Sequence, residues 1–269
     1  MTLDPAVLTR TGRTLPVGDG LRLRRFGQAA ADLDIDFGSP VPDLVTELIA
    51  VCGSRSDGGV LGRGPVRQLS LSIRTACLLT LARMEGVEAL SLRLQCSDPS
   101  CSEAFELDVG IDEALAFAAA DAEAEFEVSV GGATLRLRRP TGNDQLEWLG
   151  ASFSTADLAR LAILRSLVVS HLPFDLPADW SDGLEAALAE HDPLVCFTVQ
   201  VVCPFCNVSY SHELPLANLA VSVLRAAQVR FIALVHRLAS RYGWTEHDVL
   251  GLPAWRRDRY AALIASEAG

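Results

Sequence analysis

The chain has 269 residues, of which 49% are apolar but only 6% aromatic, and its formal charge is −11. That acidic balance argues against a broad phosphate-binding surface, so nucleic acid is not expected as the main partner. All 23 basic residues are arginine, and the absence of lysine excludes Schiff-base catalysis and the lysine of the Walker phosphate loop.

Residues 1–65 read as an irregular N-terminal arm. Residues 1–40 show weak periodicity, 41–51 (VPDLVTELIAV) suit a short helix, and 53–65 (GSRSDGGVLGRGP) are the composition of a flexible Gly-rich loop. No lysine or suitably placed acid accompanies those glycines, so a phosphate cradle is not expected there. The first twenty residues lack the apolar stretch of a secretory signal. No uninterrupted apolar run approaches the roughly 18–20 residues of a membrane span. The longest runs are broken by Arg165, Arg225 and Arg230. A cytoplasmic protein with reduced thiols is the expectation.

Residues 66–269 form the second region. Residues 68–85 carry a helical pattern with Leu71, Leu78, Leu81 and Ala82 near one face; Cys77 lies among them and reads as a small core residue, as does Cys52. ALSLRLQ then alternates Leu90, Leu92 and Leu94 against Ser91, Arg93 and Gln95, the pattern of a half-buried strand. CSDPSC follows, then a second alternating strand in AFELDV and a helix over 111–120. Residues 125–139 predict a hairpin turning at Gly131-Gly132. Its register sets Val128 opposite Leu135 and Phe126 opposite Leu137 on one face. On the other, Glu127 meets Arg136 and Glu125 meets Arg138. Helices are expected near 143–150, 155–171 and 181–190.

VCFTVQVV, CPFC and NVSYSHEL repeat the strand–turn–strand order. The longest helix is expected over 216–242, where apolar residues recur every three or four positions from Leu216 to Leu238. Arg237 and Arg241 lie in its last turn and Gly243 just beyond. Thr245 and Asp248 can cap a short helix, and Pro253 opens a final one over 254–266.

Two segments therefore share one plan: strand, tight turn with two cysteines, strand, helix. Two such turns face to face would supply four thiolates, Cys96, Cys101, Cys203 and Cys206, to one tetrahedral structural zinc ion with Zn–S bonds of about 2.3 Å. Two local disulfides, two empty thiol pairs or a degenerate site are the alternatives. Cys196 precedes Cys203 by seven residues on one strand, which turns it to the opposite face and out of the shell. His212 reads as a polar strand residue. The CPFC motif also suits thiol redox chemistry, but that requires a helix N-terminus, and strand patterns flank it here.

Among the other candidates, His191-Asp192 and Glu246-His247-Asp248 sit at helix ends, where capping or solvation explains them. Nine carboxylates and no basic residue between 103 and 127 read as a solvated acidic face, with docking of a basic partner as the sharper possibility. Arg256, Arg257 and Arg259 read as ordinary helix-surface arginines beside Trp255 and Tyr260, with contact to phosphate or an acidic protein face as the sharper possibility.

The order of these features resembles the baseplate hub assembly proteins of T4-like phage tails and of phage-derived contractile injection systems. The pieces that carry the resemblance are the helix before the first cysteine pair, the CSDPSC and CPFC knuckles, the LRLRRPTGNDQ segment and the C-terminal run RLASRYGWTEHDVLGLPAWRRDRYAALI. They span roughly residues 66–269. The usual knuckle form has Gly after its second cysteine, where Ser102 and Asn207 stand here. The resemblance implies a non-enzymatic assembly factor or minor structural component. Its partners would be baseplate hub, spike or other tail proteins, with no small-molecule substrate and no membrane. It would stay cytoplasmic or join the assembling particle. Of its functional residues only the four cysteines carry over, as ligands of a structural Zn2+. The expected fold is α+β, with helices around small antiparallel sheets and two zinc-knuckle hairpins brought together. The functional alternatives are a zinc-ribbon adaptor for nucleic acid or a polymerase, and a thiol oxidoreductase using CPFC.

Overall fold

The computed structural model describes residues 13–14, 21–118, 123–130, 132–171 and 180–267. Its frame is the long helix that the apolar spacing predicts. This helix, which ends the second cysteine unit, runs over Leu216–Tyr242 and stops where Gly243 turns left-handed at φ 67°. That conformation is open to glycine at little cost, so the sequence supplies its own stop. The inner face of the helix (Leu216, Ala220, Val221, Leu224 and Ala227) packs into the main core.

In chain order, β1 (Arg13–Thr14), β2 (Arg22–Leu23) and β3 (Gly53–Ser54) make a small antiparallel sheet. Between β2 and β3 lie a 3-10 turn at Ala30–Asp32 and α1 (Val41–Cys52). Residues 1–12 and 15–20 of the expected arm lie outside the described residues; from residue 21 on, its largely irregular backbone is built into the core. Leu21, Leu23, Phe26, Ile35 and Phe37 are buried in the same core as α1 and the 216–242 helix. Each fully buried apolar side chain of this size contributes roughly 1.5–3 kcal/mol. Polar chemistry holds the irregular backbone in place. Asp32, fully buried, takes two bonds from the Arg24 guanidinium (2.6 and 2.8 Å) and one each from the Gln28 and Ala29 N–H groups. Gln228 donates to the carbonyls of Asp32 and Ile35 at 3.0 and 2.9 Å. Buried carbonyls outside regular structure need such partners.

The Gly-rich stretch is also more ordered than expected: its first two residues are β3, and α2 (Arg63–Gln68) begins inside it. The helix expected over 68–85 is α3 (Leu71–Met84), started by Ser70, whose hydroxyl accepts from the Ile73 N–H at 3.3 Å. β4 (Ala89–Gln95) and β5 (Ala104–Gly110) form the first knuckle hairpin, and α4 (Ile111–Ala116) follows directly.

β6 (Glu125–Val130) and β7 (Ala133–Arg138) pair in the expected register, Val128 with Leu135 and Phe126 with Leu137. Gly131 lies outside the described residues; Gly132 has φ +84°. The opposite face keeps the predicted pairing of positions, but its ion pairs shift. Arg136 reaches diagonally to Glu125 at 3.2 Å, and Arg138 turns away to Asp144. α5 (Gly142–Gly150), α6 (Ala156–Leu167) and α7 (Trp180–His191) follow. This hairpin packs on α6 and α7 around Leu135, Leu137, Leu164, Leu167 and Leu184, a second core.

β8 (Thr198–Val202) and β9 (Ser209–Glu213) form the second knuckle hairpin, and the Leu216–Tyr242 helix is α8. α9 (Glu246–Gly251) and α10 (Ala254–Glu267) fold back onto the second half of α8 around Phe231, Val235, Leu238 and Val249. The α+β class is thus as expected: helices around two-stranded antiparallel sheets.

An 18-residue window of α8 has a mean hydropathy of 1.5, enough by length and composition for a membrane span despite Arg225 and Arg230. Averaged hydropathy thus passes a test that the broken apolar run fails. In this structure about a third of that window is buried, against α3 and the rest of the core.

Candidate metal centre

The two knuckle hairpins are rooted in one core. Leu90, Val109, Ile111 and Ala114 anchor the first unit; Leu194, Phe197, Leu214 and Leu216 anchor the second. The strands leave that core in the same phase. Buried Leu94 precedes Cys96 by two residues, and buried Val201 precedes Cys203 by two. Strand alternation then points each first cysteine inward. Cys96 and Cys203 are buried, while Cys101 and Cys206 are half-buried.

Each turn closes in the same way. The Cys96 N–H donates to the Glu103 carbonyl and the Cys203 N–H to the Val208 carbonyl, both at 2.9 Å. Ser102 N–H donates to Asp98 O at 3.0 Å and Asn207 N–H to Cys203 O at 2.9 Å. The residue after each second cysteine is left-handed, with φ 51° at Ser102 and 59° at Asn207. Among the described residues these are the only non-glycine positions at positive φ. The chain therefore adopts the glycine conformation of the usual knuckle without the glycine. Asn tolerates it through local hydrogen bonding, whereas Ser bears more of the steric cost.

The four sulfurs of Cys96, Cys101, Cys203 and Cys206 all lie within 4.8 Å of one another. The Sγ atoms of Cys96 and Cys206 are 3.6 Å apart, and those of Cys101 and Cys203 3.9 Å apart. A tetrahedron with metal–sulfur bonds of about 2.3 Å has S···S edges of about 3.8 Å, so both distances fit one ion held by all four. Both short distances run between knuckles, and all seven cysteines are free thiols. Tyr210 adds a second link, its hydroxyl donating to the Gln95 carbonyl at 3.4 Å.

The electrostatics favour a cation. Burial raises the Cys203 thiol, but the N–H groups of Phe205 and Cys206 outweigh it and bring the thiol down to about 7. At Cys96 the Asp98 N–H pulls the other way, yet burial and the neighbouring thiols push it up to about 12. At Cys101 the Glu103 N–H lowers the thiol, and burial with Cys206 and Cys203 raises it overall. Once one thiolate forms, the others resist ionisation at such short range, and a divalent cation removes that conflict. Four cysteines lie together here and could bind a metal.

The remaining candidates fall away from this site. Cys52 and Cys77 are buried core thiols, both pushed up to about 12 by burial. Cys196 is half-buried and outside the cluster. His212 sits on β9 edge-on to the Tyr210 ring, outside the sulfur cluster. Asp248 caps α9 through Thr245 as expected.

Two expectations are corrected. Asp192 is not solvated: it is 1% exposed and paired with Arg139 at 3.3 Å, while its neighbour His191 stacks on Phe126. Arg257 is not a surface arginine: it is 2% exposed, with its guanidinium 5.0 Å above the Phe231 ring. Within the acidic 103–127 stretch, Asp108 accepts from Ser91 and Asp112 from Arg83, and Asp121 lies outside the described residues.

Sequence reasoning also missed Arg74, which is 2% exposed and donates to the Pro42 and Val66 carbonyls and the Thr46 hydroxyl. Burial brings this arginine down to about 10. Gly142 packs directly against it: a Cβ there would stand 2.6 Å from Arg74 Nη1. The Gly in LRLRRPTGNDQ is the signal that could have pointed to a close approach.

The two turns face each other and bring four thiols together. No family model matches the chain, and no curated protein or solved structure matches it either.

Proposed function

We propose that this protein is a non-enzymatic assembly factor or minor structural component of the baseplate hub of a phage-like contractile tail or contractile injection system. In this reading its four cysteines hold one structural zinc ion. The observation that carries the clamp is the set of four sulfurs from two hairpins, about a hundred residues apart in the chain, at the spacing of one tetrahedral ion. An all-thiol tetrahedral set suits zinc or iron, and four protein ligands leave no position for a reacting water. The bound ion would supply a cross-link between distant segments. Cys203, whose thiol is held below its usual range by the N–H groups of Phe205 and Cys206, would ionise readily for such an ion, and the Asp98 N–H orients the Cys96 sulfur.

The biological context rests on the resemblance over residues 66–269, and the docking surfaces would lie outside the site. The outer face of α8 and the acidic strands of the first knuckle are the surfaces such a role would use. The thiol-oxidoreductase alternative has less support, because CPFC joins β8 to β9 and does not open a helix.

Deleting the gene in the producing strain is expected to stop assembly at the baseplate, and affinity capture of the tagged full chain is expected to recover hub or spike proteins. Normal sheathed particles from the deletion strain refute the reading.

A further inference from the structure

A cleft of about 160 Å³ lies between α8, the N-terminal turn of α10 and the segment Arg25–Gln28. Three arginines line it, Arg25, Arg230 and Arg257, against two carboxylates, Glu85 and Asp258. Glu85 is already held by Arg25 through two bonds, at 3.1 and 3.3 Å. Arg257 is the unusual member. Its side chain is buried, yet among the described residues no carboxylate forms an ion pair with it. It donates long bonds to the Gly27 and Leu250 carbonyls, at 3.2 and 3.5 Å, which leaves guanidinium donors to spare. Burial lowers its pKa, and the nearby charges of Asp258 and Asp32, neither within ion-pair distance, do not offset it. Buried charges are ordinarily paired, because an unpaired one is costly. The rest of the lining is apolar: Phe26, Phe231, Leu234, Ala227 and Ala254.

We infer that this cleft binds a carboxylate carried on a short apolar stem, with Arg257 and Arg230 holding the carboxylate and the Phe26–Phe231 wall covering the stem. The charge count favours a monoanion, since three guanidiniums face two carboxylates. The volume is below that of sites for larger ligands, which start at about 300 Å³. Guanidinium suits a carboxylate because its fork can donate two parallel bonds. The ligand can be a free short-chain acid or the acidic side chain of a docking polypeptide; the recognition chemistry is the same.

Calorimetric titration of the full-length, metal-replete protein tests this, with sodium butyrate, butanol and the capped peptide acetyl-Ala-Glu-Ala-amide as probes and sodium chloride as the ionic-strength control. Saturable binding of butyrate or the peptide, and none of butanol, is the expected result. Tighter binding of the peptide assigns the carboxylate to a polypeptide, and tighter binding of butyrate to a free acid. Arg230→Gln, on an exposed residue, is expected to weaken binding roughly tenfold or more, as loss of a charge-assisted bond does. Arg257→Met is expected to abolish it, with circular dichroism as the check on folding; if that variant does not fold, Arg230→Gln carries the test. Responses no different from sodium chloride, or binding unchanged in Arg230→Gln, overturn the proposal.

Discussion

Replacing Ser102 by glycine is expected to stabilise the protein, an uncommon outcome for a change that only removes atoms. Ser102 is held at φ 51° by the closure of the first knuckle. A left-handed conformation costs an ordinary L-residue about 1–2 kcal/mol. Glycine avoids that cost but adds unfolded-chain entropy worth roughly 0.5–1 kcal/mol. The serine hydroxyl donates to the Pro99 carbonyl at 3.2 Å, an exposed bond whose loss subtracts little. The bond from Gln95 to the Ser102 carbonyl uses the backbone and survives. The net expectation for Ser102→Gly is a gain of about 0.5–1 kcal/mol, or a Tm rise of about 1–4 °C for a chain of this size. Asn207 makes the internal comparison. It has the same conformation at φ 59°, but asparagine tolerates it, so Asn207→Gly is expected to stay within about 0.5 kcal/mol of the parent. Ser102→Val, a branched side chain at positive φ, is expected to destabilise by more than about 1 kcal/mol. Urea unfolding of the metal-replete protein reads all three. A lower midpoint for Ser102→Gly, or equal effects at the two positions, would refute the reasoning.

Three further outcomes are expected. Cys101→Ser or Cys206→Ser lowers metal content and thermal stability together, while Cys52→Ala and Cys196→Ser leave the metal at one ion per chain; elemental analysis after gel filtration checks this. Gly142→Ala drives a Cβ into the Arg74 guanidinium and to 3.1 Å from the Arg67 carbonyl, so it costs about 2–4 kcal/mol in urea unfolding. Acid sensitivity should trace in part to Asp144. Burial raises its pKa, but bonds from Arg138 at 2.6 Å and from the N–H and hydroxyl of Thr141 outweigh that and hold it below the usual range. A depressed folded pKa contributes stability above the unfolded value of about 3.9, lost as pH falls through the folded value. Asp144→Asn should therefore cost about 1–2 kcal/mol near neutrality, less for the partial exposure of Arg138, and should flatten the pH dependence of Tm below about pH 4. An unchanged acid profile contradicts the assignment.

What was legible in the sequence is what periodicity or punctuation encodes. The β6–β7 register follows from alternation, and α8 ends where Gly243 and the preceding arginine place its stop. The cysteine spacing with flanking strands singled out the four cysteines that cluster, although only the folded chain shows that the two pairs meet. Residues 21–40 hid their role because they bury single residues from irregular backbone, with Leu23 and Phe26 in no repeating pattern. Side-chain bonds from Arg24 and Gln228, distant in sequence, make that backbone tolerable in a core. Arg257 and Asp192 read as surface residues, and Arg74 went unnoticed, because charge ordinarily lies at the surface and their burial depends on tertiary carbonyls, rings and ions that no local pattern announces. At 102 and 207 the sequence lacks glycine but the backbone does not reflect it. The backbone keeps the glycine conformation, so the departure from the usual motif alters local strain and leaves the sulfur geometry intact.

The central claim is that two knuckles are clamped by one ion through four thiolates. X-ray absorption at the zinc edge, together with elemental analysis of protein purified anaerobically without added metal, tests it most directly. One zinc per chain with four sulfur neighbours at about 2.3 Å is the predicted result. A folded protein that carries no metal, or a zinc ion with nitrogen or oxygen in its shell, would contradict it.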